Sequence, residues 1–153
     1  MSTLPQVSIN SDYSWCFGCG QNNPIGLKLS FRRDGNTVQA EFTPGRLYQG
    51  WPEIVHGGII ASILDEAMSY AVHFEGMTFV TARMEVKFKR PAPIAEPLVI
   101  TSSITRKTRR LVETKATISL RDGTVVAEGT ATQFIVNNGP HEKGNEEGDR
   151  GNA

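Results

Sequence analysis

Cysteine is scarce in this chain: two occur in 153 residues, Cys16 and Cys19. They stand in Cys16-Phe17-Gly18-Cys19-Gly20, a spacing that suits half of a zinc site or a redox pair. Zinc would need two more ligands, and neither a second C-x-x-C nor an H-x-x-x-H accompanies the pair. A homodimer bringing two pairs together is the remaining route, and no metal is expected. A thioredoxin-like pair sits at a strand-to-helix junction, whereas this one runs into Gly20-Gln21-Asn22-Asn23-Pro24, a turn signal; the pair reads as structural. Charge of one sign is missing too. Sixteen basic and sixteen acidic residues cancel, leaving nothing global to attract nucleic acid or an anionic membrane. No apolar run approaches the length of a membrane span. Residues 1–15 have neither a basic n-region nor an apolar h-region, so no secretory leader is expected and the cytoplasm is the expected location.

What is present is an ordinary soluble composition, 39% hydrophobic and 21% charged, in a chain of single-domain length able to bury a real core. Residues 1–24 are polar and turn-rich, an N-terminal arm with Trp15 and Phe17 as anchors. Residues 25–136 carry the periodic segments of one domain. Alternation predicts strands over 27–31 and 38–42, joined by a hairpin turn at Asp34-Gly35-Asn36. A loop over 44–52 leads to a helix from Ile59, which Gly76 is placed to stop. A long strand follows over 78–90. Its expected faces are Val80, Ala82, Met84, Val86 and Phe88 on one side, and Thr81, Arg83, Glu85, Lys87 and Lys89 on the other. Further strands are expected over 98–105, 112–120 and 125–136, the last two joined across Arg121-Asp122-Gly123. Residues 137–153 hold nothing able to anchor a core and read as a disordered tail. Two strands, one long helix and four strands give an α+β chain whose simplest packing wraps an antiparallel sheet around the helix.

The helix carries the chemistry. Ile60, Ile63, Leu64, Ala67, Met68 and Ala71 recur at helical spacing and form one apolar stripe. Asp65 lies about two turns inside it, with Ser62 and Ser69 beside it at i−3 and i+4. Gly57 and Gly58 sit at the start, where the first amides lack intrahelical partners and can face an oxygen gaining negative charge. Residue by residue, a turn, a helix-entering histidine and a solvated aspartate would account for this stretch. Together they are harder to dismiss, because a lone buried Asp destabilises a fold unless it is paired. Neither a serine triad nor a metal cluster can be assembled from the sequence, which leaves Asp65 as the best base or nucleophile. Partial burial would raise its pKa and its basicity.

His56-Gly57-Gly58, with an acidic residue nine positions after the histidine, resembles the signature of the hotdog-fold acyl-CoA thioesterases of the PaaI-like type. Tyr48-Gln49-Gly50-Trp51-Pro52 before it and Glu66-Ala67 after it are also similar, and the likeness spans roughly residues 16–136. A Cys-x-x-Cys-Gly…Asn-Pro-x-Gly-Leu stretch similar to this one occurs in that group as an N-terminal arm. The resemblance implies a hotdog fold, an acyl-CoA substrate, no cofactor, and a homodimer or homotetramer with the site between subunits. By position, the catalytic acid falls on Asp65 and the oxyanion-holding amide on Gly57 or Gly58, with Gly58 preferred. His56 is assigned as a group polarising the thioester carbonyl, with a helix-capping histidine as the equal alternative. In one branch of the family the aspartate works with a threonine sixteen residues later. Here that is Thr81, followed by Ala82-Arg83 and Lys89-Arg90-Pro91, and its strand face is expected to address the partner's Asp65. Where many relatives have Asn or Gln six residues before the histidine, this chain has Gly50; Gln49 is the candidate substitute.

Coenzyme A would bring phosphates, and Arg106, Lys107, Arg109 and Arg110 cluster at an expected strand turn, with Lys89 and Arg90 at the end of the long strand. A solvated hairpin tip kept basic for solubility explains the cluster equally well. Nucleic-acid binding is the weaker reading, since no aromatic residues interleave with the cations. Two other functions stay open. An acyl-thioester hydratase or dehydratase shares the fold, but the His-to-Asp spacing argues against it; a non-catalytic acyl-CoA-binding module is the other.

Overall fold

The computed structural model describes residues 12–136; the expected tail over 137–153 and the start of the arm lie outside them. Six strands and one α-helix follow in order, with a short 3-10 turn (Arg46–Tyr48) before the helix: β1 (Arg32–Asp34), β2 (Thr37–Phe42), α1 (Gly57–His73), β3 (Phe79–Phe88), β4 (Leu98–Lys107), β5 (Leu111–Leu120) and β6 (Val125–Ile135). The strands form one antiparallel six-stranded sheet in the order β1-β2-β4-β5-β6-β3. The apolar stripe of α1 is what the sheet closes on. Ile63, Leu64, Ala67 and Met68 are fully buried against Leu98, Ile100, Ile118 and Ala127. A Cβ at Gly129 in β6 would meet Met68 Cε at 3.2 Å and Leu64 Cβ at 3.4 Å, so the glycine lets helix and sheet approach this closely. This is the α+β hotdog arrangement expected from the pattern. The helix stops as expected too: Gly76 has φ 76 and its amide reaches the His73 carbonyl.

Three local expectations are corrected, the first being the anchors of the arm: the Trp15 and Phe17 side chains are exposed, at 66% and 37%. Second, no strand forms over 27–31. Lys28 has φ 54, a left-handed conformation incompatible with a pleat, and the Leu27 and Leu29 amides bond to the Phe17 and Gly18 carbonyls of the arm. The alternation there reports one-sided burial of Leu27 and Leu29 beneath the arm, which an irregular segment shares with a strand.

The third correction concerns β3. Its register against β6 shifts between Thr81 and Arg83, a bulge at Ala82 that moves every residue before it to the opposite face. Thr81 pairs with Gln133, Met84 with Ala131 and Val86 with Gly129, all on the helix side. Val80 therefore leaves the apolar face assigned to it, and Thr81 leaves the charged one.

Candidate active site

Asp65 sits half-buried at the centre of α1, between the fully buried pairs Ile63-Leu64 and Ala67-Met68. Thr81 Oγ1 donates to its Oδ1 at 3.3 Å. The bulge makes this contact possible within one chain, so Thr81 meets the Asp65 of its own chain. Burial pushes the Asp65 carboxyl above the ordinary carboxylate value, and the Thr81 bond pulls against that rise. The result is a carboxylate more basic than a solvated aspartate.

The helix start is organised by His56. Its Nδ1 accepts the Gly58 N–H at 2.9 Å, and its carbonyl accepts the amides of Ile59 and Ile60. His56 is thus an N-cap, the capping alternative of the two left open. The consequence corrects the preference for Gly58: that amide already has an acceptor, whereas the exposed Gly57 amide has none among the described residues. Phe88 lies 3.6 Å from where a Gly57 Cβ would be, so the end of β3 borders the helix start.

Gln49 reaches the same place. It lines an open cleft with Gly50, Trp51, Pro52, Val55, His56 and Gly57. Its Oε1 holds the Glu53 amide at 3.2 Å, which supports a residue with φ 66. A Cβ at Gly50 would stand 3.0 Å from His56 Cα, so this loop touches the helix start backbone to backbone.

The cations fall into two separate groups. Arg106, Lys107, Arg109 and Arg110 form the exposed β4–β5 turn beside the start of β3, where the Arg110 carbonyl accepts the Ile135 amide. Lys89 and Arg90 follow the far end of β3, bonded to the Val126 carbonyl. Ten strand residues at about 3.3 Å each separate them by roughly 30 Å, too far to grip one phosphate cluster within a single chain. Asp65 and the Gly57 amide are also apart, by about 12 Å along the helix axis.

Sequence reasoning missed two groups. Gln133 is fully buried beside Thr81 in the sheet; its Oε1 takes the Thr114 hydroxyl at 3.1 Å, and its Nε2 has no partner among the described residues. Glu66, next to Asp65, points toward Cys16 and Cys19. Its carboxyl is raised by burial, lowered by bonds from the two thiols, raised by the Asp65 charge and lowered by His73. The available signal for Glu66 was its place on the apolar side of α1, three residues after Ile63 and four before Tyr70; nothing marked Gln133 within its strand.

Comparisons with known proteins agree with this architecture. Residues 53–127 match the family model described as the thioesterase superfamily. The acyl-coenzyme A thioesterase THEM4 of Mus musculus is 33% identical over 69% of this chain and 48% of its own length; the chain spans about half the length of the curated relatives it matches. A thioesterase superfamily protein of known crystal structure superposes with a TM-score of 0.75 at 27% identity, over 80% of this chain and 61% of the other. The E. coli PaaI protein, from the phenylacetic acid degradation operon, superposes with a TM-score of 0.68 at 19% identity over 72% of this chain and 81% of its own.

Proposed function

The chain belongs to the thioesterase superfamily, and from that premise we propose that it hydrolyses an acyl-coenzyme A thioester to a free acid and coenzyme A. The observation that carries this is the pairing of a half-buried Asp65, its basicity raised by burial, with a helix start whose Gly57 amide is free. Ionised Asp65 takes a proton from water as the water oxygen bonds to the thioester carbonyl carbon. The carbonyl pair moves onto oxygen, which Gly57 N–H holds. Collapse expels the thiolate, and the proton on Asp65 goes to the departing sulfur. Thr81 orients the carboxylate through its hydroxyl, and His56 keeps the helix start in place by capping it. Direct attack by Asp65 would instead form a mixed anhydride and expel the thiolate; with water then attacking the aspartyl carbon, single turnover in ¹⁸O water would leave label in Asp65.

The 12 Å between base and amide requires a second subunit in this reading. β3 is the longer of the two edge strands of the sheet, the other being the three-residue β1, and it exposes Val80 at 40%, Met84 at 37% and Phe88 at 60%. An exposed, long, apolar edge strand invites pairing. Antiparallel pairing of two β3 strands would place one subunit's Phe88 end beside the other's Thr81. Since Gly57 borders Phe88 and Asp65 touches Thr81, the amide of one subunit would meet the base of the other. Lys89 and Arg90 of one chain would then share an end of the assembly with the partner's β4–β5 turn, which removes the 30 Å problem for coenzyme A phosphates.

A thiol-release assay across aliphatic and aromatic acyl-CoAs tests the function. Release with at least one substrate class, abolished in Asp65→Asn, is expected. Hydration of an enoyl-CoA without thiol release would indicate a hydratase, and thermal stabilisation by acyl-CoA without turnover a binding module.

A further inference from the structure

On the face of α1 that turns to the N-terminal arm, Cys16 Sγ, Cys19 Sγ and a Glu66 carboxylate oxygen lie within 4.8 Å of one another, and Cys16 Sγ stands 3.6 Å from Glu66 Oε1. We propose that these three side chains bind one zinc ion, with a fourth position open to water or an exogenous donor. The inference goes beyond thioester chemistry and does not depend on it.

Three features carry it. First, the distances are close to those of a coordination shell. Zinc–sulfur bonds of about 2.3 Å and zinc–oxygen bonds of about 2.0–2.2 Å put tetrahedral ligands roughly 3.5–3.8 Å apart, so the three atoms need close by about 1.3 Å at most. Two thiolates and a carboxylate form a borderline-soft donor set that suits zinc better than magnesium or calcium.

Second, the backbone is shaped to bring them together. A Cβ at Gly18, between the cysteines, would collide with the Glu66 carboxyl carbon and Oε2 at 2.5 Å. At Gly20 it would meet Cys16 N at 2.4 Å and Ser14 O at 2.5 Å, and the Gly20 amide bonds to the Cys16 carbonyl at 2.8 Å. The two glycines thus wind the arm into a tight knuckle and let the carboxylate lie against it.

Third, among the described residues the positive charge that acts on Glu66 comes from His73 alone, not from a lysine or arginine. A half-buried carboxylate gains from a closer compensating charge than that. A thiol proton is a weak substitute. A cavity of about 210 Å³ adjoins the group, lined also by Tyr13, Tyr70 and His73, with room for a fourth ligand.

Such an ion would clamp the arm to the helix one residue from Asp65. The test uses the full chain without a polyhistidine tag, reduced and loaded with zinc, then freed of excess metal. About one zinc per chain is expected by elemental analysis, and cobalt in its place should give a thiolate-to-cobalt charge-transfer band. Cys16→Ser and Cys19→Ser should each lose the zinc. Glu66→Gln should weaken zinc binding at least about tenfold, a minimum borrowed from the loss seen for groups one shell further out. Gly18→Ala, which removes no donor but displaces Glu66, should weaken it as well. That variant and the cobalt spectrum of the native chain remain decisive if a cysteine variant fails to fold. Two free thiols with no retained zinc would overturn the proposal, as would a Cys16–Cys19 disulfide forming in preference to zinc binding under the same conditions. Unchanged affinity in both Glu66→Gln and Gly18→Ala would reduce the group to a bare dithiol and also overturn it.

Discussion

Under the proposed mechanism, Asp65 brings function and stability into opposition at a single residue. Burial raises its folded pKa above the unfolded value of about 3.9. The stability this group contributes is therefore fully present below about pH 4 and lost as pH rises through the folded value. Asparagine keeps the shape and stays neutral throughout. Asp65→Asn should thus raise Tm at neutral pH, with the gain vanishing below about pH 4, while kcat falls by at least about 10²–10⁴-fold. Calorimetry across pH and thiol release on the same preparation check both. A variant with intact circular dichroism and more than a few per cent of wild-type kcat would falsify the assignment of Asp65 as base. Thr81→Ala should cost less rate. Because the Thr81 bond lowers the Asp65 pKa, its loss should also move the acid limb of the kcat profile to higher pH.

Among the elements, β3 and the β4–β5 turn matter most for the site. One bulged residue, Ala82, decides whether Thr81 meets the helix or the solvent. In the turn, Arg106 is paired with Glu113 at 3.5 Å, while Lys107, Arg109 and Arg110 have no ion-pair partner among the described residues. If the turn holds coenzyme A phosphates, replacing these three with Ala should raise KM and leave kcat mostly unchanged, the mark of lost uniform binding. The difference from wild type should shrink in high salt, since exposed charges are screened. An unchanged KM for a full coenzyme A substrate would return the cluster to the role of a solvated tip.

At the scale of the whole molecule, the proposed reading makes activity a property of an assembly, because about 12 Å of helix separate Gly57 from Asp65. Active protein should be at least dimeric by light scattering at micromolar concentration. A mass of 16.8 kDa in a preparation that turns over would sink the shared site, and with it the pairing of β3 edges. No helix among the described residues is long and apolar enough to cross a membrane.

The sequence by itself determined the helix, its apolar stripe, the glycine-opened start and the later strands, because each leaves a local period or a turn signature. It also singled out Asp65 as a candidate, while Thr81, and the roles expected of both, came from the resemblance. Tertiary structure decided the rest. A bulge leaves no mark on an alternating run, so the face of Thr81 was set only by its pairing with β6. Whether Gly57 or Gly58 offers a free amide depended on where the His56 ring turned. Leu27 and Leu29 looked like a strand because burial from one side writes the same pattern, whatever accepts the hydrogen bonds. Glu66 was visible as one acidic residue among sixteen; its meeting with Cys16 and Cys19 spans about fifty residues of chain, a contact that no local rule encodes.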